Sequence, residues 1–196
     1  MKNRVYVLVF DGLADWEPAL ALCELNKSQR FEIVSVGLTE KPVTTMGGMK
    51  ILPDVTLAQV APAEAALFIL PGGTLWEQGS PPGLAEMLGR LANQGVPIAA
   101  ICGATLEVVR AGLTATRRHT SNMPAYLKAM LPAYADAARY VDAPAVVDGD
   151  LITASGLASV EFACAILGRL GVYAADELAE LHAMFKHGVI PARYLT

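Results

Sequence analysis

An unbroken apolar run, Val5-Tyr6-Val7-Leu8-Val9-Phe10, reads as a strand covered on both faces. From Asp15 to Leu25 the apolar residues recur at helical spacing, and Phe31 to Val36 reads as a second strand. Val43-Thr44-Thr45 and Lys50-Ile51-Leu52 flank Gly47-Gly48, which predicts a small hairpin. Ala66 to Leu70 is another buried strand, ended by Pro71-Gly72-Gly73. A helix is predicted from about Pro82 to Asn93, then a short buried strand over Val96 to Ala100. Leu106 to Leu113 has helical spacing with a glycine stop at Gly112. Strands alternating with helices through short connections predict an α/β protein with a mainly parallel sheet and helices on both faces. Sites in such sheets form beyond the carboxyl ends of the strands, where the strand order reverses. Three strand ends therefore carry the search: Asp11 to Glu17, Pro71 to Trp76, and Cys102 to Thr105.

Composition narrows the classes. The chain has 196 residues, enough for one domain with a substantial core. At 54% apolar and 17% charged it is a globular chain, and the net charge of -4 with scattered basic residues excludes a nucleic-acid surface. Arg117-Arg118 is the densest basic spot and is too small for that purpose. No apolar stretch reaches the ~18 residues of a membrane span, and Met1-Lys2-Asn3-Arg4 runs into strand residues without a signal-type cleavage site. Three cysteines, Cys23, Cys102 and Cys164, are an odd set without metal-ligand spacing, so a reducing cytoplasm is expected. No metal site and no Gly-rich phosphate loop after the first strand is legible, and no cofactor is expected.

The densest chemistry lies in Ile101-Cys102-Gly103-Ala104-Thr105, between a buried strand and a helix. A cysteine there, followed by glycine, reads as a nucleophile elbow: the turn lifts the side chain above the sheet while helix amides point at it. Both effects favour thiolate, the reactive form. The alternative is a small buried residue at a strand end. Gly72 and Gly73, with the amide of Gly103, offer backbone donors for an oxyanion, or form an ordinary tight turn. Asp15-Trp16-Glu17-Pro18 opens a helix, and capping accounts for Asp15. Glu17 has a second role open to it, as a protonated carboxyl donating to a thiolate. Trp76 either walls a pocket or packs, and Thr105 either donates to a ligand or caps its helix. Cys23 and Cys164 read as core residues. His182 and His187, on a terminal helix from about 175 to 186, read as a solvated face.

Taken together, Glu17, Leu70-Pro71-Gly72-Gly73 and Ala100-Ile101-Cys102-Gly103-Ala104 resemble the DJ-1/PfpI superfamily, within the class I glutamine amidotransferase-like fold. Arg117 to Asn122, Asp150 to Gly156 and the helix Ser159 to Ala163 extend the resemblance to about Gly171. It implies a flavodoxin-like three-layer sandwich forming one domain over residues 1–196, with the terminal helix as an extension. It also implies a nucleophilic Cys102 partnered by Glu17, amide donors from Gly73 and Gly103, and a homodimer.

This chain departs from catalytic relatives in its histidines. Gly103 follows Cys102 where the protease-like branch carries histidine, and Asn122 stands where the deglycase and glyoxalase-like branch carries one. Strand alternation puts His119 on the face opposite Asn122, and a one-residue slip would reverse it. Asparagine orients a substrate or water but is no general base. Glu161 has no late histidine beside it in the motif, so glutamine hydrolysis and proteolysis are not expected. Three readings remain: a cofactor-independent enzyme of small carbonyl or nitrile-like compounds, a redox sensor or stress-response protein oxidised at Cys102, and a scaffold.

Overall fold

The computed structural model describes residues 3–192. Each near-continuous apolar run becomes a parallel strand: β1 (Arg4–Val9), β2 (Glu32–Gly37), β6 (Ala65–Leu70) and β7 (Ile98–Ile101). Two short pieces, β3 (Val43–Thr44) and β4 (Lys50–Ile51), pair as the expected hairpin. With β5 (Val55–Thr56), β8 (Ala145–Asp148) and β9 (Leu151–Ala154), the long strands form a seven-stranded sheet of order β5-β2-β1-β6-β7-β9-β8. All pairs are parallel except β8 against β9.

Alternation along β1 explains the layers. Tyr6 and Leu8 face one side, with Leu84, Met87, Leu88 and Leu91 of helix α2 (Leu84–Asn93). Val5 and Val7 face the other, with Ala21 and Leu25 of α1 (Trp16–Lys27) and Phe162, Ala163 and Ile166 of α5 (Ser159–Arg169). Each large aliphatic side chain so buried contributes about 1.5–3 kcal/mol, which makes this three-layer sandwich the favoured packing. Helices α3 (Thr105–Arg110) and α4 (Pro124–Met130) add Leu106, Val108 and Leu127 to the core on the α2 side, and α6 (Ala175–His187) lies on the other. The last packs on α5 and buries Leu181.

Boundaries moved where local chemistry overrode periodicity. Helix α2 starts at Leu84, two residues later than its spacing predicts, because Pro81-Pro82 form a turn closed by the Leu84 amide on the Pro81 carbonyl. Cys23 is exposed, against the core role expected of it, since Ala21, Glu24 and Leu25 take the inward face of α1. Glu24 tolerates burial because the Tyr173 hydroxyl donates to Oε2 at 2.6 Å and Lys27 Nζ to Oε1 at 2.9 Å. Among the described residues, no helix is long and apolar enough to cross a membrane.

From β1 the chain turns one way to β2 and later returns to place β6 on the other side of β1. The order therefore reverses between β1 and β6, and the segments after them meet above the sheet.

Candidate active site at the Cys102 elbow

Cys102 leaves β7 with φ 59°, in the left-handed region that a non-glycine residue enters at a cost. The strain is held by hydrogen bonds behind the turn. Thr105 Oγ1 donates to the Cys102 carbonyl at 2.6 Å and shares a 2.6 Å bond with Ser121 Oγ. Thr105 thus braces the elbow; its hydroxyl is buried and spent, so it neither meets a ligand nor caps α3.

Glu17 reaches the elbow from the first turn of α1 and is 1% exposed. Its Oε2 accepts the Gly72 amide at 2.5 Å, while the Gly72 carbonyl accepts the Ala14 amide at 3.0 Å. The Gly72 amide is therefore committed to the carboxyl and does not serve an oxyanion, contrary to the expectation from sequence. A Cβ at Gly72 would overlap Glu17 Oε2 and lie 2.6 Å from Cys102 Cβ, so the peptide must be glycine to pass there. Gly156 closes the opposite side, where a Cβ would stand 2.7 Å from Cys102 Sγ and 3.2 Å from Glu17 Oε1. Sγ and Oε1 thus face a single narrow space.

Asn122 completes the cluster. Its Oδ1 accepts the Gly156 amide at 2.9 Å, which turns Nδ2 toward Cys102 Sγ at 3.5 Å. The sulfur therefore meets an amide donor rather than a base. Burial pushes the Cys102 thiol up, and the Glu17 charge adds to this; the Asn122 and Gly103 amides pull it down. Burial likewise raises the Glu17 carboxyl, against the pull of Gly72 and Cys102. Both groups are driven toward their neutral forms, so the pair resists carrying two charges.

The other expected pocket residues have their polar atoms engaged away from the sulfur. His119 is buried away from the sulfur: its Nε2 pairs with Tyr134 Oη at 2.7 Å and Nδ1 with the Arg117 carbonyl at 3.0 Å. The rings of Tyr134 and Tyr140 meet it edge-on, at 5.8 and 5.9 Å between centroids. Those ring contacts fix its facing. Trp76 packs in the core, its indole donating to the Pro71 carbonyl at 2.8 Å. Asp15 stands at the helix cap position without making a cap bond. Its carboxylate is held below the usual range by the Thr45 side chain and by the Gly47 amide, which donates at 2.6 Å, tying α1 to the β3–β4 hairpin. Tyr126 and Gly156 border the site, a placement that was not legible in the sequence. Burial, then Glu77 and Cys102, push the Tyr126 hydroxyl up to about 12. Beside Asn122 a cleft of about 380 Å³ opens, lined by Ser121, Ser155, Leu157 and Lys186 among others. Among the described residues no group of His, Cys, Asp and Glu could hold a metal ion.

A strained cysteine at a strand end, facing a buried carboxyl beside the sheet's switch point, defines the elbow-bearing class of three-layer α/β proteins. Within that class, the chain belongs to the DJ-1/PfpI family, whose profile matches residues 3–169. A Bacillus subtilis protein named uncharacterized protease YoaZ is 37% identical over 191 residues, covering 94% of this chain and 91% of the relative. A deglycase of Pyrococcus abyssi is 29% identical over 76% of this chain and 88% of its own length. The solved thiJ/pfpI family protein of Bacillus anthracis superposes with TM-score 0.90 at 34% identity, covering 96% of this chain and 92% of that one. A DJ-1 superfamily protein of Agrobacterium tumefaciens gives 0.87 at 34% identity, covering 95% and 100%.

Proposed function

We propose that this protein is a cofactor-independent cysteine enzyme acting on small carbonyl or nitrile-like compounds. The observation that carries the reading is the convergence of Glu17 Oε1, Asn122 Nδ2 and the Gly103 amide on Cys102 Sγ. In the reactive form Glu17 holds the proton and Cys102 is thiolate, because the sulfur has two further donors aimed at it. Sγ forms a bond to the electrophilic carbon, and the π electron pair of the C=O or C≡N bond moves to its heteroatom. That atom takes the proton from Glu17, which becomes carboxylate. A water then adds to the same carbon, one of its protons passing through Glu17 to the nitrogen. Collapse of the tetrahedral adduct expels the Cys102 thiolate, returns a proton to Glu17 and releases the hydrated product, the amide in the case of a nitrile. Gly103, Gly73 and Asn122 steady the developing anion.

The glycine after Cys102 and the donor orientation of Asn122 favour this chemistry over the protease and deglycase names its relatives carry. Neither position offers a basic nitrogen to activate the thiol or an attacking water. A second reading, oxidation of Cys102 as a sensor, rests on the same donors, which would hold a sulfenate or sulfinate oxygen. Assembly as a homodimer is part of the proposal. Trp16, Met123 and Leu157, each next in sequence to a site residue, are exposed apolar side chains that a second copy would cover.

Consumption of small aldehydes, ketones and nitriles by the purified protein tests the reading against Cys102→Ser. Turnover that disappears in the variant supports it. Absence of turnover, with peroxide adding oxygen at Cys102 alone, replaces it with the sensor.

A further inference from the structure

Helix α3 carries two charged residues that the proposed chemistry does not use. Glu107 is fully buried, and its Oε1 accepts the Ser80 hydroxyl at 2.6 Å. Its Oε2 has no hydrogen-bond partner and lies 3.6 Å from Arg110 Nη1. Arg110 in turn spreads its fork over the loop between β6 and α2: Nη2 donates to the Trp76 carbonyl at 3.0 Å and Nη1 to the Gly79 carbonyl at 3.3 Å. One short helix thus grips residues 76, 79 and 80 by a bidentate cation and a buried carboxylate. A charged pair with Glu107 fully buried and Arg110 largely so is costly to desolvate, and the Ser80 hydroxyl on Glu107 with the Trp76 and Gly79 carbonyls on Arg110 are the contacts that offset it.

The gripped segment is short and bounded by two glycines. Thr74–Gln78 forms a single 3-10 turn between Gly73 at φ 149° and Gly79 at φ 124°, conformations that side-chain-bearing residues rarely adopt. Its Trp76 lies against the residue after the nucleophile: a Cβ at Gly103 would stand 3.0 Å from Trp76 Cδ1 and 3.1 Å from the Gly73 carbonyl oxygen. Glu77, on the same turn, acts electrostatically on Tyr126 together with Cys102. The loop is therefore a wall of the Cys102 site, and it backs the peptide whose amide points at Sγ.

We propose that Arg110 and Glu107 are positioning residues, latching the 74–80 loop across the Cys102 site from the helix that follows the nucleophile. The proposal rests on Cys102 being the reacting group, but the latch has its own readout. Glu77 is exposed, and glutamyl endopeptidase cuts after it only when the loop opens locally. In Arg110→Met the cut rate is expected to rise about tenfold, the effect of losing one or two hydrogen bonds on a local opening equilibrium. The ratio of Cys102 alkylation by a bulky maleimide to that by iodoacetamide is expected to rise several-fold alongside it. Arg110→Lys, which keeps the charge and one donor direction, should recover part of both. Ser80→Ala removes the hydroxyl that donates to Glu107 from an otherwise exposed residue and should move both readouts the same way by less, so it decides the matter if Arg110→Met does not fold. Unchanged cleavage and an unchanged reagent ratio in folded Arg110→Met or Ser80→Ala overturn the latch. An inert Cys102 in the parent protein overturns the proposed function instead, and the cleavage arm still judges the loop.

Discussion

Two half-buried cysteines in this chain sit beside glutamates, and their hydrogen bonds run in opposite directions. Burial and a neighbouring carboxylate raise both thiols, Glu17 for Cys102 and Glu161 for Cys164. The difference is the polarity of their hydrogen bonds. Cys164, in the middle of α5, points its Sγ at the Leu178 carbonyl at 3.8 Å, a contact in which the sulfur donates and so stays protonated. Cys102, on a strained turn, receives the Asn122 and Gly103 amides, which pull its thiol down against the larger effect of burial. Their glutamates differ as well. Lys186 and His182 bind Glu161 at 3.0 and 3.2 Å and help keep its carboxyl below the usual range, whereas Glu17 has no such cation among the described residues and is raised by burial. Burial alone therefore does not distinguish these two thiols; the direction of the surrounding dipoles does, and it is the ground on which Cys102 is proposed as the reactive one.

The comparison breaks most readily at Glu17. Glu17→Gln keeps an acceptor for the Gly72 amide and a donor for Sγ but holds no transferable proton. Turnover should fall by about 10²- to 10⁴-fold, the usual worth of general acid–base help, in steady-state assays. Gly72→Ala comes next, because its methyl enters the space of Glu17 and Cys102. A loss of about 1–3 kcal/mol is expected in urea melts, as for other overpacked sites. Asn122→Leu strips a donor from Sγ and leaves the Gly156 amide unpaired. It should cost about 1–3 kcal/mol of stability and raise the alkylation pKa of Cys102. Smallest is Cys164→Ala, with about 1 kcal/mol or less lost on filling the site with alanine and Cys102 alkylation unchanged.

Acidity sharpens the same contrast. A free carboxyl such as Glu17's titrates near 4.5, and the folded group titrates higher. Below that value both states hold the proton, and the contribution to stability is fully present. As pH rises the unfolded chain releases its proton first, so the contribution is lost through the folded group's raised pKa. Glu161, lowered instead, contributes stability that is lost as pH falls. Urea melts across pH 4–8 should therefore show a smaller loss of stability with rising pH in Glu17→Gln than in the parent.

Much of this was legible in the chain. Runs covered on both faces carry no polar residue, so β1, β6 and β7 stood out, and with them the strand ends where the site forms. The elbow followed from a cysteine and glycine at the end of such a run. Facing was harder to read. His119 and Asn122 lie in a segment with one isolated bridge rather than a strand, so alternation had little hold. Expectation nevertheless put the two on opposite sides, and the Tyr134 and Tyr140 rings hold His119 there. Tyr126 reaches the site through long-range packing that no local pattern announces, and Gly156, though it ends a segment that carried the resemblance, shows its place against Cys102 only in the fold. Gly72 was read as an oxyanion donor because sequence shows a free amide, while only the fold shows the carboxyl that takes it. Cys23 was read as core because its neighbours are apolar, but helical phase, not neighbourhood, decides burial.

The pH dependence of alkylation at Cys23, Cys102 and Cys164, read peptide by peptide by mass spectrometry on the folded protein, tests the central claim most directly. Cys102 should react as thiolate at lower pH than Cys164, with a profile that shifts in Glu17→Gln, while Cys164 reacts only in alkaline solution. A Cys102 that is inert, or whose profile matches that of Cys164 and ignores Glu17, would contradict the account and leave the elbow as scaffold.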